Sequence, residues 1–173
     1  MAGVSLFLSA VFCGGFFFFK HRIRHSPPVN TEQSGSLIDK PFPHAQLIDM
    51  YGSKVDEQLI RSGRVVVVFV TPDCDACAAE GKFLQTLLGR RKDVAFYGLL
   101  PFGKPSQSPN DIEKTFPFRV FYEENNSFVT SMGINRVPVK VYLEDGIIKK
   151  GWIGAALTEN ARASFTEWLD RLP

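Results

Sequence analysis

The stretch TPDCDACAAE, residues 71–80, holds Cys74 and Cys77, two of the three cysteines in a chain of 173 residues. Two thiols at this spacing can hold a metal, lock a structural bridge, or exchange electrons with another disulfide. Exchange needs one thiolate that attacks and a second thiol near enough to resolve the mixed disulfide. A structural zinc site needs about four ligands. The chain has no second C-x-x-C, and His21, His25 and His44 all lie toward its N-terminus. A bridge that only braces the chain stays open as a reading. Asp73 and Asp75 flank Cys74, and Glu80 follows three residues after Cys77. Two carboxylates beside a thiol oppose its ionisation, because like charges repel.

The elements around the pair decide how it is presented. Residues 64–70, RVVVVFV, form a β-branched apolar run bounded by Gly63 and Pro72, which reads as a strand buried on both faces. Residues 75–89 follow with Ala76, Ala79, Phe83, Leu84, Leu87 and Leu88 at helical spacing, ending at Gly89. Cys74 therefore falls at the N-terminal tip of a helix, where free N–H groups and the positive dipole end favour a thiolate. Cys77 points back into the helix, so Cys74 is the exposed member.

Further strands are expected at 94–100 and 118–122, with short helices from Asp111 and near 127–132. Residues 139–143 and 147–152 alternate around Glu-Asp-Gly, a hairpin signal. Thr158 caps a last amphipathic helix carrying Ala161, Phe165, Trp168, Leu169 and Leu172. The fold class is α/β, with a mixed central sheet and helices on both faces. The 101–110 loop is a candidate rim for a partner groove. Arg90, Arg91 and Lys92 read as a solvated helix end.

Hydrophobic residues make up 45% of the chain and charged residues 22%, the balance of a globular protein that buries a core. A net charge of +2 gives no reason to expect a nucleic-acid partner. Residues 3–19, GVSLFLSAVFCGGFFFF, carry no charge and include Cys13. That is near the about 20 residues of a bilayer span, and it reads as a transmembrane anchor. A cleaved signal peptide would have a basic start and small residues before the cut, which are missing here. The anchor with its basic flank takes residues 1–25, a Pro/Ser/Gly-rich linker residues 26–40, and the folded domain residues 41–173.

The chain resembles the thioredoxin-like superfamily, and within it the membrane-anchored TlpA/ResA-like redoxins. The resemblance runs from about Lys40 to Leu172. It rests on the lead-in KPFPHAQLIDMYGSKVDEQLI, on VVVVFVTPDCDACAAE with its C-x-x-C-x-x-E motif, and on GINRVPVKVYLEDGIIKKGWIGA. It implies a thioredoxin-like fold and a thiol-disulfide oxidoreductase that needs no cofactor. Cys74 and Cys77 would be the redox pair, Glu80 the buried acid that moves protons to and from Cys77, and Pro138 the cis-proline beside them. Val137, Pro72 and Asp73 would meet the partner. Partners would be protein thiols or disulfides, exported proteins or apocytochromes among them. The resemblance also implies an extracytoplasmic, periplasmic domain. Lys20, Arg22 and Arg24 argue instead for the cytoplasmic side, since basic flanks stay inside.

The sequence departs from that pattern in three places. Asp73 stands where tryptophan is usual, Asp75-Ala76 lacks the frequent proline, and Gly81 replaces a proline that kinks the helix. The acidic pair predicts a less acidic Cys74 thiol and hence a reductant. Two rival readings are a peroxiredoxin-like peroxidase, from Thr71-Pro72-Asp73-Cys74 with Arg119 or Arg136, and a non-enzymatic membrane-tethered chaperone or copper-delivery module.

Overall fold

The computed structural model describes residues 37–173. The apolar run expected to anchor the chain lies outside them. Among the described residues, no helix is long and apolar enough to cross a membrane. Packed structure reaches back to Leu37, since Leu37 and Ile38 pack on the core and the Asp39 N–H donates to the Ile148 carbonyl.

One seven-stranded sheet organises the rest. Its strands are β1 (Leu47–Asp49), β2 (Lys54–Val55), β3 (Arg64–Phe69), β4 (Val94–Leu100), β5 (Arg119–Glu123), β6 (Val139–Glu144) and β7 (Ile147–Ile153). They lie in the order β2-β1-β5-β4-β3-β6-β7. β3, β4 and β5 run parallel, whereas β6 is antiparallel to β3 and to β7, and β1 is antiparallel to β5 and β2. The sheet is mixed, and β3 sits between β4 and β6.

Alternation along β3 explains its uniform apolarity. Val66 and Val68 face one core with Cys77, Phe83 and Leu84 of α2 (Asp75–Gln85), Ile112 of α3 (Pro109–Thr115), and Phe165 and Leu169 of α5 (Glu159–Asp170). Val65, Val67 and Phe69 face the other with Ile60 of α1 (Gln58–Arg61) and Phe128 of α4 (Ser127–Met132). Both faces exclude water from Val65 to Phe69, so none of those positions tolerates a polar side chain without a buried partner.

α2 is shorter than its apolar spacing suggests. It ends at Gln85, and Leu87 and Leu88 continue the buried stripe through turns that close at Gly89, whose φ of 79° a side chain would strain. α3 begins two residues before Asp111, at Pro109, with Ser108 accepting from the Asp111 N–H. The basic cluster after α2 does more than face solvent. Arg90 grips the Asp170 carboxylate at 2.6 and 2.7 Å, and Arg91 donates to the Leu172 carbonyl at 2.6 Å. Together they fasten the end of α5. On its inner side α5 seals the sheet through aromatic rings, with Trp168 at 4.5 Å and Phe165 at 4.9 Å from Trp152, centroid to centroid.

Gly81 marks a close approach of α2 to another element. A Cβ there would stand 3.0 Å from the Thr115 carbonyl oxygen and 3.3 Å from the Phe116 ring. The glycine lets the end of α3 pack against the helix that carries the cysteines. Gly81→Ala should therefore lower stability by about 1–3 kcal/mol in denaturant unfolding, because overpacking outweighs alanine's better helix propensity. Unchanged stability would show that residues 115–117 give way freely.

Candidate active site

The site forms where β3 ends. The Val70 N–H still bonds the Leu99 carbonyl, so the strand is held up to the loop that carries Pro72 and Asp73. Cys74 has extended backbone and caps α2, accepting the Cys77 N–H on its sulfur at 3.1 Å, while its carbonyl accepts the Ala78 N–H. A sulfur acts here as the N-cap acceptor, the place where partial positive charge from the helix is greatest. Cys74 and Cys77 form a disulfide, with Cα atoms 5.1 Å apart. Cys74 is half-buried and Cys77 is 0% exposed. The pair thus has one sulfur that a partner can reach and one that it cannot.

Three further segments meet this corner. The Val137-Pro138 bond is cis. Val137 packs on the same core cluster as Cys74, and the Pro138 carbonyl accepts the Gly154 N–H, tying the two ends of the β6–β7 hairpin together. Pro72 is half-buried, and Asp73 is exposed and accepts from the Gln107 side chain at 2.5 Å. That bond brings the 101–108 loop to the cysteine loop. Nothing in the sequence marked Gln107, because a glutamine in a polar loop carries no periodic signal.

Beneath the pair lies a buried charge pair. Glu80 is 1% exposed and Lys140, on β6, is 2% exposed. The Lys140 ammonium stands 2.7 Å from Glu80 Oε1, an ion-pair contact without a well-directed hydrogen bond, and it also donates to the Gly154 carbonyl at 3.2 Å. Glu80 Oε2 accepts the Ala156 N–H at 2.6 Å. Burial pushes the Lys140 ammonium below the usual lysine range, and the neighbouring carboxylate opposes that shift. Glu80 sits one helical turn after Cys77, on the same face.

Lys140 was not among the sequence candidates. In Val139-Lys140-Val141-Tyr142 it falls on the face that alternation assigns away from the apolar side. β6 nevertheless lies inside the sheet with a helix layer on each face, so that face is also core. A lysine there needs a buried anion, and Glu80 supplies it.

The arginines considered for peroxide activation do not join the site. Arg119 is exposed and lies over the ring of Phe121 at 5.2 Å, a residue of the core cluster on the sheet face away from α2. Arg136 is exposed in the loop before Val137 and lines a cleft of about 350 Å³ with Ile134, Val139 and Ile153. His44 sits 2.6 Å from Glu57, in the lead-in to the fold.

Asp73 and Asp75 stand on the solvent side of Cys74, both exposed. Replacing either by asparagine should make the reduced Cys74 thiol more acidic, by about half a pH unit at this exposure. Alkylation rate against pH measures it, and a thiol that stays unchanged or becomes less acidic contradicts the electrostatic argument.

No protein-family model matches the chain, and no curated protein matches it in sequence. Solved structures do match in fold. A secreted Mycobacterium tuberculosis disulfide oxidoreductase, homologous to E. coli DsbE, superposes with a TM-score of 0.57 at 16% identity, over 73% of this chain and 95% of that one. StoA from Bacillus subtilis gives 0.54 at 17% identity, over 77% and 98%. A thioredoxin-like protein from Porphyromonas gingivalis gives 0.56 at 16% identity, over 76% and 90%. The fold is thioredoxin-like.

Proposed function

We propose that this thioredoxin-like chain is a thiol-disulfide oxidoreductase that exchanges electrons with a partner protein through Cys74 and Cys77, and that it works as a reductant. The observation that carries the reading is the asymmetry of the pair. One sulfur is reachable at a helix tip, its partner is sealed, and a charged acid lies one turn further in. A structural bridge has no need of that arrangement.

The reaction follows from it. The Cys74 thiolate attacks one sulfur of the partner's disulfide, and the other partner sulfur leaves as a thiolate. A Cys74–partner mixed disulfide results. Cys77 then gives up its proton and attacks the Cys74 sulfur. The Cys74–Cys77 bond forms, and the second partner sulfur leaves. Two electrons pass from the cysteine pair to the partner, and the protons of the two cysteine thiols balance its two new thiols. Glu80 is placed to take the Cys77 proton. Val137, Pro72 and Asp73 border the point of attack and are the surface a partner chain would meet. Asp73 and Asp75 favour the thiol form of Cys74, which supports the reducing direction.

The test is turnover of a disulfide-bonded reporter protein by the reduced chain. Cys74→Ser should drop the rate to the uncatalysed background. Cys77→Ser should accumulate a mixed disulfide with the reporter, visible by non-reducing mass analysis. Full activity in Cys74→Ser would overturn the reading. Turnover of peroxide in place of the reporter would favour the peroxidase instead.

The apolar run at residues 3–19 supports a membrane tether, and the resemblance to TlpA/ResA-like redoxins supports a domain on the extracytoplasmic face. Exported thiol proteins and apocytochromes are the partners such a location would offer. A reporter fused after Pro173 should be active only outside the cytoplasm, and cytoplasmic activity would assign the domain to the other side.

A further inference from the structure

We propose that Gln107 is a positioning residue for Cys74, holding the Asp73 carboxylate and so setting how strongly that charge opposes the attacking thiolate. The inference rests on the oxidoreductase reading above and adds the 101–108 loop to the machinery of the site.

Asp73 directly precedes the attacking cysteine, and its anion disfavours a second anion beside it. How strongly it does so depends on what else the carboxylate binds and on whether it stays in place. An exposed aspartate without a partner turns freely about its side-chain bonds. Here the Gln107 amide donates to Asp73 Oδ1 at 2.5 Å, a bond that fixes the carboxylate and draws on its charge. Among the described residues no lysine, arginine or histidine pairs with Asp73 or Asp75, so a neutral amide is what offsets the charge of Asp73.

Gln107 sits on a firm mount. It directly precedes Ser108, the cap of α3, whose hydroxyl oxygen accepts the Asp111 N–H at 3.3 Å and donates to Asp111 Oδ2 at 2.7 Å. Ile112 of α3 is 0% exposed, and the far end of that helix meets α2 at Gly81. The two helices are therefore joined twice, at Gly81 and, ahead of both N-termini, through Asp73 and Gln107. The cysteine loop is held on one side by the Val70 N–H on the Leu99 carbonyl and on the other by the Cys77 N–H on the Cys74 sulfur. Among the described residues, the Gln107 bond is the one that grips the stretch between them, residues 71–73.

The other charged groups around this corner have places of their own. Asp75 is exposed on α2, and Lys104 is exposed in the 101–108 loop. Glu80 and Lys140 pair in the core, and Asp111 of α3 is engaged by Ser108 and by Lys114 at 3.6 Å. Arg162 of α5 donates to the Ala156 carbonyl, and Arg136 lines the cleft beside Val137.

The experiment reads the Cys74 thiol. In a Cys13→Ser, Cys77→Ser chain Cys74 is the remaining thiol, and its alkylation rate is followed against pH. Gln107→Leu should move the midpoint up by about 0.3 pH unit, a twofold loss of thiolate below the midpoint. Gln107→Lys, which keeps a donor for Asp73 and adds a positive charge, should move it down, and it serves if the leucine variant does not fold. The deciding comparison is made in Asp73→Ala, where Gln107→Leu should leave the midpoint where Asp73→Ala puts it. Equal shifts with and without Asp73 would show that Gln107 does not act through the carboxylate, and they overturn the inference. Superimposed profiles of the parent and the Gln107 variants overturn it too. The reporter assay, run on the unmodified chain, separates the two failures. If that chain does not reduce the reporter protein, the oxidoreductase reading falls and this inference with it. If it does and the alkylation profiles superimpose, this inference alone falls.

Discussion

The ion pair between Glu80 and Lys140 joins the three pieces from which the site is built. The carboxylate comes from the helix that carries the cysteines, the ammonium from the strand that follows the cis-proline, and both are gripped by the 154–156 segment that leads into α5. A pair this deep gains little over an apolar core, because desolvation consumes most of the attraction. Losing one partner is another matter and costs about 3–5 kcal/mol, since the survivor is stranded without water. The pair therefore fixes the relative placement of α2, β6 and the loop more than it adds net stability. The directed bonds to Gly154 and Ala156 locate it further.

Around that pair the core is arranged to stay dry. β3 has apolar layers on both faces, and the rings of Trp152, Phe165 and Trp168 close the space beside Lys140. Gly81 lets the end of α3 come against the helix from the other side. The result is a disulfide at a boundary. Cys74 touches solvent and the helix dipole, and Cys77 touches only protein. The two sulfurs share one bond but not one environment, so their thiols should differ in acidity once separated. Burial alone thus leaves one sulfur open to a partner and seals the other.

Much of this was legible in the residues. The valine run, the cysteine spacing and the helical stripe after it placed the pair at a strand-to-helix junction. The alternating hairpin and Thr158 placed the last three elements to within a residue or two. What escaped was pairing across the sequence. Lys140 looked like the polar member of an alternating strand, and Glu80 could equally have been an exposed first-turn acid. Each becomes meaningful only when β6 is known to pair with β3 beneath α2. Gln107 and the Arg90–Asp170 clamp are hidden for the same reason, since they join loops and helix ends whose partners lie far along the chain. The end of α2 was misplaced because the apolar stripe runs on through turns after the helical hydrogen bonds stop.

The central claim is that Cys74 and Cys77 form a reversible two-electron couple. Equilibrating the full chain across a series of dithiol/disulfide buffers and counting its free thiols by alkylation and mass measurement addresses this directly. The account predicts one transition confined to Cys74 and Cys77, changing tenfold in oxidised-to-reduced ratio for about every 30 mV, with Cys13 taking no part. A pair that stays oxidised throughout, or that reduces without returning, would make it a structural bridge and contradict the account.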